Sequence, residues 1–461
     1  MNNEFLEKEP IGKLLFKLSI PTLLAQIINM LYNIVDRIYI GHMPEVGEIA
    51  LTGVGVCLPL ILVVSAFAAL ISAGGAPRSS IFMGKKDQAS AEKTMGGCFT
   101  LQIVISIILT ILLLIFNKPL LLAFGASENT IGYATSYMNI YAIGTIFVQL
   151  TLGMNAYITA QGFAKMGMLT VLIGAVCNII LDPIFIYALD MGVKGAALAT
   201  IISQGLSCVW VVYFLLSKKT LLRLKREYLK INIKIIAPCL ALGFAPFIMQ
   251  ASESVIMICF NSSLLKYGGD IAVGTMTILS SVMQFALMPL QGFAQGSQPI
   301  LSYNFGAKNT LRVKGTFKLL LIISLTYSII LWALVMLFPS MFALMFTPKP
   351  EYVDFASNAL RIYCAVLLIF GLQIACQMTF VSMGNAVSSI IVAIVRKFVL
   401  LLPLIYLMPL LIDNKTNAVY MAEPVADLLA VTFTGVLFYF QFKKSLNSIK
   451  NKNINIISIG L

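Results

Sequence analysis

The sequence predicts an all-α polytopic membrane protein. Twelve transmembrane helices form two six-helix repeats, an N-lobe and a C-lobe, related by a pseudo-two-fold axis. Composition is the first ground: hydrophobic residues make up 59% of the 461 residues and charged residues 11%. The second is length, because apolar runs of about 20 residues, enough to cross a roughly 30 Å hydrocarbon core, recur along the whole chain. The third is repetition. Pro77, Ser80, Gly84 and Lys86 return as Pro299, Ser302, Gly306 and Lys308, a constant offset of 222 residues. Ala134, Ile140, Tyr141, Gly162 and Ala164 return at the same offset as Ala356, Ile362, Tyr363, Gly384 and Ala386. One half-molecule has been duplicated. Duplicated halves packed about an axis normal to the bilayer are a transporter architecture, with the solute site between them.

The runs are continuous rather than alternating, which argues for helices and against barrel strands. In the N-lobe, spans 1 to 6 are predicted at 14–40, 49–73, 94–116, 131–153, 164–188 and 195–216. In the C-lobe, spans 7 to 12 are predicted at 235–261, 271–295, 316–338, 355–378, 388–410 and 418–441. The N-lobe thus occupies 1–216 and the C-lobe 235–442. A basic linker, 217–234, joins them, and 443–461 reads as a basic polar tail.

The net charge is +13. Lys and Arg gather at Arg78, Lys85, Lys86 and Lys93, and again at Lys218, Lys219, Arg223, Lys225, Arg226, Lys230 and Lys234. These segments fall on the side of the membrane that carries both termini. The loop at 42–48 has Glu45 and Glu48 and no base. The positive-inside rule therefore predicts cytoplasmic termini. Because the bases edge membrane spans, they give no ground for a nucleic-acid partner. Residues 1–10 carry three glutamates and lack a basic start before a short apolar core, so span 1 is expected to be its own uncleaved insertion signal. The eight cysteines have no CxxC or metal-ligand spacing and read as small apolar residues. Gly84-Lys85-Lys86 lacks the GxxxxGK[ST] spacing of a phosphate loop, and a turn explains it better. The single histidine, His42, offers no partner for metal or nucleophilic catalysis, so no enzyme is expected.

Without a nucleotide site, uphill transport has to draw on an ion gradient. Carboxylates inside spans therefore matter, because each costs roughly 2.5–3.5 kcal/mol to insert and commonly marks an ion or substrate path. Asp36 lies late in span 1, beyond Pro21, which should bend or loosen that helix. An ion pair with Arg37 is the plain alternative, weakened because helical neighbours point about 100° apart. Asp182 lies in Asn178-Ile179-Ile180-Leu181-Asp182-Pro183, where Asn178 and Asp182 share a helix face. Pro183 frees a carbonyl nearby, and Thr200 in span 6 can add a hydroxyl. A helix-end cap is the plain reading of Asp182. The four ligands are oxygen or amide groups, which suit a proton at a desolvated carboxyl and equally Na⁺. The second half is mixed in charge: Glu253 in span 7, Arg361 in span 10, Arg396 and Lys397 in span 11, Glu423 and Asp427 in span 12. These either neutralise one another or form a second site. Phe147, Met154, Phe285 and Met288 are candidates for a soft cavity wall, with ordinary packing as the plain alternative.

These residues carry a resemblance. Pro21 and Asp36, the Ile40-Gly41 ending, Asn178-x-x-x-Asp182-Pro183 and Gly195-Ala196-Ala197-Leu198-Ala199-Thr200 together resemble the MATE family of multidrug and toxic-compound extruders. The likeness covers about 12–442 and is greatest to the bacterial DinF/MepA-like branch. It implies a V of two bundles, alternating access, and cation-coupled export of amphipathic, often cationic small molecules. It implies an ion-coupling cluster at Asp36, Asn178, Asp182 and Thr200. It implies cavity-lining roles for Asn29, Tyr32, Tyr137 and Asn155, with Glu253 as a further substrate contact, and conformational roles for Pro21 and Pro183. It implies no cofactor beyond H⁺ or Na⁺ as coupling ion, with H⁺ favoured, a monomer, and a bacterial inner membrane. The NorM branch has an acid in span 10 that this chain lacks, which weakens a Na⁺ site on Glu253. The alternative within the same superfamily is a flippase for lipid-linked oligosaccharide or peptidoglycan precursors, kept open by Arg361, Arg396 and Lys397.

Overall fold

A computed structural model describes residues 4–346 and 350–457, with side chains through residue 448. The described residues contain helices and no β-strand. Spans 1, 2 and 3 are Ile11–Gly41, Gly47–Gly84 and Gln88–Ala123. Span 4 is the pair Ile131–Ile143 and Thr145–Ala160, bent by 57°. Spans 5 and 6 are Ala164–Ala188 and Gly192–Leu216. Spans 7 and 8 share one continuous helical stretch, Ile233–Gly306, broken at Gly269 (φ 65°, ψ −162°). Span 9 is Thr310–Leu337, and span 10 is the pair Pro350–Tyr363 and Leu367–Ser382, bent by 50°. Spans 11 and 12 are Ala386–Leu411 and Lys415–Ser448. The twelve predicted spans are all present, most of them longer than the apolar runs that announced them.

The duplication is visible in backbone detail. Lys86 (φ 60°) and Lys308 (φ 61°) both take the left-handed conformation, one residue before the helix caps Asp87 and Asn309. Asp87 accepts from the Ser90 amide at 3.0 Å, and Asn309 from the Arg312 amide at 3.1 Å. Each satisfies a free donor of its helix's first turn. The Gly84-Lys85-Lys86 segment is therefore a turn, as its spacing suggested. Gly162 and Gly384 are both at positive φ in the span 4–5 and 10–11 turns, where a Cβ would be strained. The bends of spans 4 and 10 also correspond. The sequence read each as one straight span, and no proline marks the break. At Gly144 span 4 lies close on span 6: a Cβ there would sit 2.4 Å from Ile201. Span 1, by contrast, is helical through Pro21, so the expected loosening is not a break in the helix.

Two connections differ from expectation. The 217–234 linker is docked on the N-lobe. Gln161 Oε1 accepts from Thr220 Oγ1 (2.8 Å) and from the amides of Leu221 (2.9 Å) and Leu222 (2.7 Å). Leu222 and Leu224 are buried in the cluster that holds Met95, Leu150 and Met154. Lys225 pairs with Glu92 at 2.6 Å, and the hydrogen bond to that carboxylate raises the lysine above its ordinary pKa. The predicted polar tail continues the last helix as far as Ile457. The N-terminal helix Glu4–Lys8 straps both lobes. Phe5 lies against Gly162, while the Leu6 carbonyl accepts from Asn304 (3.0 Å) and Arg312 (3.1 Å).

The lobes meet through close backbone approaches. Span 2 crosses span 7 where Gly74 faces Cys239 and Gly243 faces Leu70. Span 8 crosses span 1 where Gly296 faces Ser19 and Gly292 faces Leu23. Gly74 and Gly296 are repeat mates, so these are one crossing used twice. At the ends of spans 2 and 8, Gly84 faces Tyr303 and Gly306 faces Ile81, again as mates. The hydrogen bonds from Thr22 Oγ1 to the Gly292 carbonyl (2.8 Å) and from Gln26 to Gln295 (3.4 Å) add polar links. All these contacts lie in the half of each span toward the termini.

Candidate functional site

Spans 1, 4, 5 and 6 build a small polar cavity inside the N-lobe. Span 6 supplies Thr200, Ser203, Gln204 and Ser207, a stripe at helical spacing. Span 1 supplies Asn29 and Tyr32, span 4 Thr151, and span 5 Thr170, Gly174, Ala175 and Asn178. The cavity volume is about 40 Å³. One ordered water needs roughly 10–15 Å³ on this measure, and drug-sized ligands occupy roughly 300–1,000 Å³. In this conformation the cavity fits ions and waters, not a drug.

At its edge the two acids come together. Asp182 is fully buried and accepts from Asn178 Nδ2 at 3.2 Å, so it is not a cap at a helix end. The helix continues past Pro183 into a π-helical turn, Ile184–Ala188, which lets the chain continue without the proline's missing donor. Asp36 is half-buried, and its carboxyl lies beside that of Asp182. Ionised carboxylates only accept, so a hydrogen bond between the two would need a proton on one of them. Asp36 makes no ion pair with Arg37 among the described residues. Asp36 Oδ1, Asp182 Oδ2, Asn178 Oδ1 and Gln204 Oε1 are buried acceptors with no protein donor. Four such oxygens on three helices form an electronegative cluster suited to a proton, a hydrated proton or a small cation.

Not every expected lining residue reaches this cavity. Thr200 lines it, although its hydroxyl donates to the Ala196 carbonyl (3.0 Å). Tyr137 is buried against Tyr141, with ring centroids 6.2 Å apart, and is not part of the lining. Asn155 donates to the Gly167 carbonyl at 3.2 Å, also outside it. Met154 is packed in the N-lobe core with no exposed surface, so it forms no cavity wall here. The sequence reading missed Gln204, Ser203 and Ser207. Their spacing from Thr200 was the available signal.

In the C-lobe, span 11 carries a π-helical stretch, Val395–Leu401. Its consecutive bases are both satisfied. Arg396 donates to Asp427 (2.7 Å) and Glu423 (3.3 Å) and lies 4.8 Å from the Phe370 ring. Lys397 pairs with Glu253 at 2.7 Å. The lysine side chain is buried, whereas that of Glu253 is 52% exposed. Arg361 stands apart and donates to the Met336 carbonyl at 3.2 Å. The plain reading of mutual neutralisation describes this group. Gly174 and Ala175, which line the N-lobe cavity, are the repeat mates of Arg396 and Lys397. Charged side chains thus occupy in one lobe the positions that leave space in the other.

Comparison with known proteins places this geometry. The model of the MatE family matches residues 21–184 and 246–407, most of both lobes. The multidrug export protein MepA of Staphylococcus haemolyticus is 24% identical over 429 residues, covering 93% of this chain and 94% of that one. MepA of Staphylococcus aureus is 23% identical over 405 residues, 88% of each chain. A crystal structure described as MATE in the bent conformation matches with a TM-score of 0.90 at 22% identity, covering 98% of this chain and 99% of that one. The outward-facing conformation of a multidrug resistance MATE family transporter matches at 0.89 and 22% identity, covering 97% and 98%. These two likenesses speak to the fold.

Proposed function

The chain belongs to the MATE family of integral membrane transporters, and from that premise we propose that it exports amphipathic, often cationic small molecules in exchange for a cation, with H⁺ favoured. The observation that carries the reading is the Asp36–Asp182 pair of spans 1 and 5 beside a polar cavity to which spans 4 and 6 also contribute. Multidrug export is what the MepA relatives are named for. The chain lies in a bacterial inner membrane with both termini cytoplasmic, as its basic segments suggest. The close backbone contacts between the lobes then lie on the cytoplasmic side.

In this reading an outward-open protein takes a proton at the carboxyl pair. Neutralising a carboxylate removes its attraction for a cationic drug, and the drug leaves. The lobes rock, and the inward-facing state releases the proton and accepts new drug. Coupling lies in competition: a ligand shifts the two-state equilibrium only through differential affinity. Na⁺ is the second reading, favoured by the four unpartnered oxygens, which could serve as hard-cation ligands. The flippase reading is less favoured, because Arg396 and Lys397 are held by three carboxylates, while the third base, Arg361, stands apart on the Met336 carbonyl.

The test is ethidium efflux from liposomes holding purified protein, with pH and Na⁺ gradients imposed separately, for wild type and Asp36→Asn. Efflux driven by the pH gradient and lost in the variant supports the proton antiporter. Efflux that needs Na⁺ reassigns the ion. Absence of drug movement under both gradients rejects drug export.

A further inference from the structure

A second cavity lies in the other lobe, away from the acidic pair. It is a groove of about 470 Å³ between spans 9, 10 and 12, near their ends on the side of the termini. Its walls are apolar: Phe317, Leu372, Cys376, Phe438 and Phe442, with Gly435 leaving room between them. Phe317 stacks on Phe438 at 4.5 Å between centroids, so the wall is a fixed aromatic surface. Lys314 and Lys443 stand at its rim. Both are exposed and neither has a carboxylate partner among the described residues.

The duplicated fold identifies what the groove lacks. In the N-lobe the repeat mates of Phe317, Leu372 and Cys376 are Met95, Leu150 and Met154. There the corresponding groove is filled by the linker, whose Leu222 and Leu224 join that same cluster. The mate of Lys314 is Glu92, which holds Lys225 of the linker and accepts from the Arg223 amide at 3.2 Å. The N-lobe groove therefore binds an apolar segment with a cation at its rim. The C-lobe groove has the same apolar walls and the opposite rim charge. Among the described residues span 12 continues as helix to Ile457, and no segment like the linker lies in the groove.

We propose that this groove is a specific site for an anionic phospholipid of the leaflet on the side of the termini. An acyl chain lies along Phe317, Leu372 and Phe438, and the headgroup phosphate bridges Lys314 and Lys443. Basic pockets between spans at this depth suit acidic headgroups, because the lysines gain a partner of opposite sign. The lipid does for the C-lobe what Leu222, Leu224 and Lys225 do for the N-lobe.

The test uses the full-length protein in mild detergent, mixed with phosphatidylglycerol or phosphatidylcholine of identical chains, with bound lipid counted by native mass spectrometry. Wild type should retain phosphatidylglycerol in preference to phosphatidylcholine. Lys314→Gln/Lys443→Gln should lower phosphatidylglycerol affinity by about tenfold or more, and Lys314→Arg should keep it. Gly435→Phe, which fills the groove, should lose the site for both lipids. Equal retention of the two lipids by wild type overturns the proposal, and that comparison needs no variant to fold. So does an unchanged preference in the double lysine variant. Competition by inorganic phosphate at equal concentration would assign the rim to a free anion and overturn the lipid. A dimer mass that excludes lipid would assign the groove to a second copy.

Discussion

Replacing Gly84 by alanine should push the lobes apart on the side of the termini. A Cβ on Gly84 would lie 2.0 Å from the Tyr303 carbonyl oxygen and 2.8 Å from the Ala307 nitrogen. Carbon–oxygen contacts normally settle near 3.3–3.6 Å, so the two spans must separate by about 1 Å or more. Both obstructing atoms are backbone, and no side chain can rotate away. Overpacking of this kind costs about 1–3 kcal/mol. The cost falls only on the state in which spans 2 and 8 touch. The gain in helix propensity from Gly to Ala applies in both states and cancels. The closed-to-open ratio at this end should therefore fall by about 5- to 150-fold. Gly306→Ala, whose Cβ would lie 2.0 Å from the Ile81 carbonyl oxygen, should do the same from the opposite lobe. Spin labels at Lys85→Cys and Leu311→Cys, in a background with the native cysteines replaced, report the distance between the lobes at this end. Both positions are exposed, one on each lobe. Gly84→Ala should broaden the distribution toward longer separations, whereas Gly132→Ala, with open space around it, should not. An unchanged distribution in Gly84→Ala would refute the argument that these glycines hold the lobes closed.

Four other outcomes follow from the geometry. Asp182→Asn should abolish gradient-driven efflux while leaving the thermal midpoint near wild type, because the amide still meets Asn178 and supplies a permanent donor to Asp36; normal efflux in liposomes would reject the exchangeable proton. Arg396→Gln strands Glu423 and Asp427 in a buried site and should cost about 3–5 kcal/mol, read as a lower melting midpoint, and Glu423→Gln/Asp427→Asn in the same chain should recover much of it. Lys397→Gln frees Glu253 and should tighten equilibrium binding of a cationic dye about tenfold at low salt, an effect that Glu253→Gln should erase. Asp87 is a surface cap whose hydrogen bonds from Ser90 hold its carboxyl below the ordinary value. A depressed folded pKa gives stability that is present above the unfolded pKa of about 3.9 and is lost as pH falls through the folded one. Melting of wild type should thus worsen below about pH 4, and Asp87→Asn should lack that part of the acid sensitivity.

The sequence by itself determined the class, the repeat and the candidate acids. Apolar run length counted the spans, because the bilayer sets a minimum length and leaves backbone groups no partner outside a helix. The offset of 222 announced the paired turns at Lys86 and Lys308, since a left-handed turn depends on a few local residues. Asp36, Asn178 and Asp182 could be singled out because a carboxylate inside an apolar run is costly wherever it sits. The tertiary structure decided what those residues face. Spans 1 and 5 had to pack before Asp36 met Asp182, and only that packing set Asp36 apart from Arg37. The same holds for Glu253 and Lys397, which are 144 residues apart in the chain. Tyr137 stacks on Tyr141 and Asn155 donates to the Gly167 carbonyl, because rotation about a helix axis is fixed by neighbours and not by composition. The bend at Gly144 had no proline to signal it, and the close contact there comes from Ile201 on another span. Nor could the linker's basic residues reveal that Leu222 fills the N-lobe groove, or that its counterpart stands open, because burial of a leucine depends on a surface built elsewhere in the chain.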